Sequence, residues 1–176
     1  MAGTDSRLRL AGWSLGGLLA GALLATCGWG LSHPAPGAAS AVTGRPAPAL
    51  TVHTFDGQTV AVSDFRGRPL VVYFWASWCG PCRAEAPVFA AAAASSPEIT
   101  FLGAAMEDSD AAARAFQARF PLPNPVGLDA DAGYLRYGVT GPPETYFIDR
   151  TGIVRFRHLG PLDAPTLQGY LEKIRG

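Results

Sequence analysis

Two cysteines separated by Gly80-Pro81 are the residues of this chain whose types and spacing most directly promise chemistry. They stand in Phe74-Trp75-Ala76-Ser77-Trp78-Cys79-Gly80-Pro81-Cys82-Arg83-Ala84-Glu85, directly after the apolar, β-branched and aromatic run Leu70-Val71-Val72-Tyr73. That run reads as a fully buried strand. The alanine-rich residues 84–94 read as helix, with Pro87 as a kink. The pair is therefore expected where a strand gives way to the first turn of a helix. A helix N-terminus offers unpaired N–H groups and a partial positive charge, which favour the thiolate, the nucleophilic form of cysteine. Cys79, at the start of that turn, is the expected attacking sulfur. Cys82 lies close enough to close a disulfide on it after attack. Pro81 suits the first turn, where its missing N–H would be unpaired anyway. Glu85 is three residues past Cys82 and shares its helix face, so its carboxylate could take or relay the Cys82 proton.

Other chemistries fit these residues less well. Half a zinc site needs more ligands, yet the only other cysteine is Cys27, and His33, His53 and His158 form no ligand-spaced pair. A purely structural disulfide would close almost no loop and stabilise little. Cu(I) could take Cys79 and Cys82 as soft ligands, but such sites commonly recruit a further ligand and none is obvious. Glu85 could instead be a solvated carboxylate complementing the helix dipole. Trp75 and Phe74 read as core, and Trp78, beside Cys79, as a shield for the reactive sulfur or a packing residue. Redox exchange is the reading these residues favour.

The run W-C-G-P-C-R-A-E-x-P resembles the TlpA/ResA/DsbE (CcmG) group of membrane-anchored thioredoxin-like proteins. So do Gly44-Arg-Pro-Ala-Pro48, Phe65-Arg-Gly-Arg-Pro69, Tyr137-Gly-Val-Thr-Gly-Pro-Pro-Glu-Thr-Tyr-Phe-Ile-Asp149 and Arg157-His-Leu-Gly-Pro161. The likeness covers roughly residues 44–176. The G-x-P-E-T-[FY]-x-I-D and R-H-x-G-P-L runs lean toward DsbE, the thiol reductant of cytochrome c maturation. The Gly-Pro between the cysteines sits nearer to general thioredoxins and TlpA. The resemblance implies an α/β, three-layer thioredoxin-like fold with an N-terminal β-hairpin extension and a β/α insertion before a cis-proline loop. It assigns attack to Cys79, resolution to Cys82 and proton handling to Glu85. It gives the client-facing surface to Trp78, Gly80, Pro81, Pro142 and the cis-proline Pro143. Relatives pair the backbone of the residue before this proline with the client through both N–H and C=O, and Pro142 has no N–H to give. The partners implied are a protein thiol or disulfide client, such as apocytochrome c, and a membrane electron donor that re-reduces the site. No prosthetic group is implied beyond the Cys79–Cys82 redox pair. A broad-client TlpA-like thioredoxin shares this chemistry. A peroxiredoxin has the same fold but needs P-x-x-[ST]-x-x-C, absent here.

The rest of the chain must position these residues. Residues 11–31 form 21 uncharged positions rich in Leu, Ala and Gly, behind Arg7 and Arg9. That length can span a bilayer, with the arginines holding the N-terminus inside. Residues 1–31 are thus expected to be a signal anchor or transmembrane helix. Cleavage after Ala41 or lipidation at Cys27 are the other fates, and all three place the redox pair outside the cytoplasm. Residues 32–43 read as a Pro/Ala/Gly-rich tether and 44–176 as the thioredoxin-like domain. Formal charge is zero with no basic stripe, which argues against nucleic acid, and three cysteines are too few for a disulfide scaffold.

Within the domain, 50–55 and 59–62 read as a hairpin around Asp56-Gly57, and 99–106 as a buried strand. The acidic run Glu107-Asp108-Ser109-Asp110 is expected to cap a helix to Phe120, with Ser109 or Asp108 as N-cap, rather than to bind a cation. Pro121 to Pro125 breaks the chain, 126–128 is a short strand and 129–137 a short helix. Strands at 145–148 and 153–158 flank the turn Asp149-Arg150-Thr151-Gly152. Asp163 caps a last helix that presents Leu167, Tyr170, Leu171 and Ile174 to the sheet. His158 reads as a satisfied structural histidine rather than a general base.

Overall fold

The computed structural model describes residues 42–123 and 125–176. Residues 1–41, on which the expected anchor, Cys27, His33 and most of the expected tether fall, lie outside the described residues. The fold is built around β3 (Leu70–Trp75), whose six residues are all buried. It pairs in parallel with β4 (Thr100–Ala105) and antiparallel with β6 (Glu144–Ile148). With β1 (Thr51–Thr54), β2 (Thr59–Ala61), β5 (Val126–Asp129) and β7 (Val154–Leu159), these form a seven-stranded sheet of order β2-β1-β5-β4-β3-β6-β7. Among the described residues the α-helices are α1 (Gly80–Ser95), α2 (Asp110–Arg119), α3 (Gly133–Tyr137) and α4 (Ala164–Arg175).

β3 carries no charged side chain on either face because both faces are covered. Val71, Tyr73 and Trp75 point into one core with Phe89 of α1, Phe116 of α2 and Leu171 of α4. Leu70, Val72 and Phe74 point into the other with Tyr137 of α3, Val62 and the incoming segment at Val42 and Leu50. The expected three-layer α/β thioredoxin-like architecture is present, though its second outer layer is thin. The expected short helix, here of five residues, and an unanticipated 3-10 turn (Val62–Phe65) provide the helical cover on that face. The turn is held by Asp64, whose carboxylate accepts the Ala61 N–H at 2.8 Å.

The hairpin does not stand apart. β1 pairs antiparallel with both β2 and β5, so the inserted strand β5 stitches the hairpin to β4. Gly127 makes this approach possible: a Cβ there would lie 2.0 Å from the His53 carbonyl oxygen.

Several boundaries move, each for a local reason. Helix α1 begins at Gly80, with Cys79 as its N-cap and Pro81 in its first turn. Ser109 is the N-cap of α2, accepting the Ala112 N–H at 3.2 Å. Asp129 closes β5 instead of opening a helix. Its carboxylate accepts the Gly133 and Tyr134 N–H groups at 2.8 Å each, so α3 starts four residues later than its sequence suggests. Short carboxylates favour such caps over helix interiors. Asp163 caps α4, as expected, and Leu167, Leu171 and Ile174 are buried while Tyr170 stacks on Phe147 at 4.4 Å.

Candidate active site

The C-terminal end of β3 feeds a tight bend into α1. The Cys79 N–H donates to the Ala76 carbonyl at 3.1 Å, closing the bend. Asp108, from the segment after β4, grips it from the side: its carboxylate accepts the Ser77 N–H and, at 2.8 Å, the Ser77 hydroxyl. The acidic run therefore does more than cap α2. Asp108 holds the loop before the cysteines, Asp110 pairs with Arg114, and Glu107 accepts the Tyr134 hydroxyl at 2.9 Å.

Cys79 and Cys82 are joined as a disulfide. At the N-cap of α1, Cys79 Sγ also accepts the Cys82 N–H at 3.1 Å, so a free amide of the first turn is aimed at this sulfur. Cys79 is 3% exposed and Cys82 1%, while Gly80 and Pro81 between them are exposed. Trp78 is 56% exposed, and its indole N–H donates to the Glu107 carbonyl at 3.2 Å. It stands beside the pair as an apolar surface rather than packing into the core.

Glu85 lies on the buried face of α1 with Cys82, and is 3% exposed. Its Oε2 accepts the Leu162 N–H at 3.1 Å, its one hydrogen bond among the described residues. Burial pushes its carboxyl up to about 7, only partly offset by that N–H. Tyr73 lies in the same core, its hydroxyl donating to the Pro123 carbonyl at 2.8 Å. Burial, and then the charge of Glu85, raise the Tyr73 hydroxyl well above its ordinary range.

The Pro142–Pro143 bond is cis. Glu144, next in the chain, is in register with Phe74, so the loop reaches the same end of the sheet as the cysteines. Pro143 is buried, its carbonyl accepting the Gly160 N–H at 2.9 Å, and Pro142 is half-buried. The sequence-predicted residues Trp78, Cys79, Gly80, Pro81, Cys82 and Glu85 thus share one bend and helix turn, with Pro142 and Pro143 at the same sheet end. His158 lies on the edge strand β7 opposite Thr145, its ring edge-on to Tyr170 at 5.8 Å.

Residues 43–157 match the AhpC/TSA family. The chain belongs to that family. It is 36% identical over 127 residues to the thiol:disulfide interchange protein DsbE of Pseudomonas fluorescens biotype C, covering 70% of each chain. It is 38% identical over 144 residues to a DsbE homolog of Paracoccus denitrificans, covering 77% of this chain and 76% of that one. Identity to the thiol-disulfide oxidoreductase ResA of Bacillus anthracis is 30%, over 74% of this chain and 78% of the other. Among solved structures, a DsbE thiol:disulfide interchange protein of Chlorobium tepidum superposes with a TM-score of 0.70 at 29% identity, covering 76% of this chain and 98% of its own. The protein is a thiol–disulfide oxidoreductase of thioredoxin-like fold.

One residue of this oxidoreductase's site carries no role in the sequence reading. Glu144 is 1% exposed. Its Oε1 accepts the Thr140 N–H at 2.9 Å and the Thr140 hydroxyl at 3.1 Å. Its Oε2 accepts the Tyr146 hydroxyl at 3.0 Å and two Arg157 N–H groups at 3.0 and 2.8 Å. The signal was present as a charged residue opening an otherwise uncharged strand, which must find partners when buried. Arg157, two strands' length along the chain, supplies the charge.

Proposed function

We propose that this oxidoreductase reduces disulfides of protein clients on the outer face of a cytoplasmic membrane, tethered there by residues 11–31. We further propose the haem-attachment cysteines of an apocytochrome c as its client. The observation that carries the reducing mechanism is Glu85, buried on the face of α1 that also holds Cys82, with its carboxyl held near neutral pH. The leaning of the sequence toward DsbE and the names of the relatives support the client.

In the dithiol state the Cys79 thiolate attacks one sulfur of the client disulfide. A Cys79–client bond forms, the client S–S bond breaks, and the departing client sulfur takes up a proton. Cys82 then gives its proton to Glu85 and attacks Cys79 Sγ. The Cys79–Cys82 bond forms, the mixed disulfide breaks, and the second client sulfur leaves as a thiolate that takes up a proton from water. Two electrons pass from the pair to the client, and the pair is left as the disulfide seen here. The cysteines themselves carry these electrons, so the scheme calls on no prosthetic group. A membrane electron donor closes the cycle. Trp78, Gly80, Pro81, Pro142 and Pro143 form the surface the client meets.

Replacing Cys79 by Ser is expected to abolish exchange, whereas Cys82→Ser accumulates mixed disulfides with clients. Trapping by the Cys79→Ser form instead would reverse the roles. Redox equilibration against glutathione tests direction. A potential near about −270 mV, like that of thioredoxin, is expected, and one near the roughly −120 mV of DsbA would overturn the reductant reading. The Gly80-Pro81 pair favours a second reading, a TlpA-like reductant of many clients. Comparable rates on apocytochrome c and on unrelated protein disulfides would select it.

A further inference from the structure

Net charge hides a sorting of charge along the sheet. Glu107, Asp108, Asp110, Asp129, Asp131 and Asp163 all stand in segments at the end where β3, β4 and β5 finish, the end that carries the disulfide. At the opposite end, where β3 and β4 begin and β6 turns into β7, three loops converge. The Gly67 N–H donates to the Arg150 carbonyl at 3.0 Å, the Ala47 N–H to Gly152 at 2.8 Å and the Val154 N–H to Arg45 at 2.9 Å. These loops carry Arg45, Arg66, Arg68 and Arg150, all exposed. None of the four forms an ion pair among the described residues, nor do Arg83 and Arg119, in contrast to Arg114, Arg136, Arg155, Arg157 and Arg175. The carboxylates nearby are already engaged: Asp149 by Arg155, Glu98 by Arg175 with a weaker pull from Arg150, and Asp64 by the Ala61 N–H.

The described chain also begins at this end: the Gly44 N–H donates to the Val154 carbonyl at 2.8 Å, beside Val42. Ten residues, 32–41, separate Val42 from the apolar run 11–31. Fully extended they reach at most about 35 Å, so an anchored chain keeps this face close to the bilayer. A cleft of about 490 Å³ opens here, bordered by Arg66 and Arg68, by Ser63, Thr151 and the Arg155-paired Asp149, and by the apolar walls of Pro46 and Phe65. Guanidinium groups pair with phosphate in a fork geometry and are drawn to anionic lipid surfaces.

We propose that this arginine-bearing end docks on the anionic phospholipid headgroups of the membrane that anchors the chain, turning the disulfide away from the bilayer toward its clients. The inference rests on the anchored reading proposed above. Its occupant is the lipid surface, with headgroup phosphates against Arg66, Arg68 and Arg150. Screening over roughly 8 Å at physiological ionic strength confines the attraction to actual contact.

The test uses the full chain reconstituted in nanodiscs of phosphatidylcholine alone and of phosphatidylcholine with phosphatidylglycerol. Amide hydrogen exchange is followed at residues 63–68 and 150–152. Exchange is expected to slow in the anionic discs at low salt and recover at high salt. Arg66→Gln, Arg68→Gln and Arg150→Gln should each weaken the effect about 5-fold. Reduction of a soluble disulfide by the triple variant should stay at the parental rate, which also reports that it folds. Equal exchange in both lipids, or slowing that survives in the triple variant, overturns the docking face while leaving the anchor intact. A chain that washes off the discs overturns the anchored reading and the docking face together. Protection by free inorganic phosphate equal to that by the anionic discs would identify a phosphate site and refute the lipid surface.

Discussion

Glu85 and Glu144 are both carboxylates, both almost wholly buried, and both close to the redox pair in the chain or across the sheet. Their surroundings are opposite. Glu144 receives N–H and O–H groups from Thr140, Tyr146 and Arg157, including a guanidinium that is itself mostly buried. Glu85 receives one backbone N–H and faces an apolar core. Burial without compensation disfavours the charged form, so Glu85 is poised to exchange a proton near pH 7. Burial with full pairing yields a clamp instead. Through Thr140 and Arg157, Glu144 ties the loop bearing Pro142–Pro143 to β6 and β7. The number of donors, not the depth of burial, separates a proton carrier from a strut.

That contrast can be broken most forcefully at Glu144. Glu144→Ala strands a buried guanidinium and is expected to cost about 3–5 kcal/mol in denaturant unfolding. A loss under about 1 kcal/mol would deny Glu144 its role as a strut. The next effect in size belongs to Glu85. The unfolded chain releases this proton near 4.5, whereas the native protein holds it to about 7. Stability from this group is therefore full below 4.5 and declines as pH rises through 7, by about 3 kcal/mol in all. Glu85→Gln should remove that slope and leave the oxidised protein more stable than its parent at alkaline pH. A slope that persists in the variant would place its origin elsewhere. The smallest effect concerns what the clamped loop offers a client. Pro142 has a C=O but no N–H, so a client pairing with this loop would lack one hydrogen bond, worth about 0.5–1.5 kcal/mol. Pro142→Val should speed reduction of non-specific protein disulfides about 2- to 10-fold at matched potential. Equal rates would mean that clients do not pair with this loop.

Much of this was legible because local chemistry and tertiary role coincide. The apolar β3 run, the cysteine pair and the Ser109 and Asp163 caps announce themselves within a few residues. The buried, raised carboxyl of Glu85 follows from its helix face, which is that of Cys82. What escaped depends on partners distant in sequence. Nothing local says that β1 will pair with β5 rather than stand apart, since the constraint is Gly127 lying against His53. Asp108 looks like a cap until Ser77 is brought to it. Glu144 gains its meaning from Arg157, which only the β6–β7 pairing delivers. Asp129 shows the converse, a local cap signal assigned to the wrong side of a boundary.

The central claim is that Glu85 takes the Cys82 proton during resolution. The direct measurement is the rate of mixed-disulfide release as a function of pH, in the parent and in Glu85→Gln, by stopped-flow with a trapped Cys79–client adduct. The account predicts an inflection near pH 7 in the parent, absent in the Gln form, whose release is slower by about 100-fold. Superimposable profiles would contradict it and leave Glu85 a buried carboxyl with no part in the chemistry.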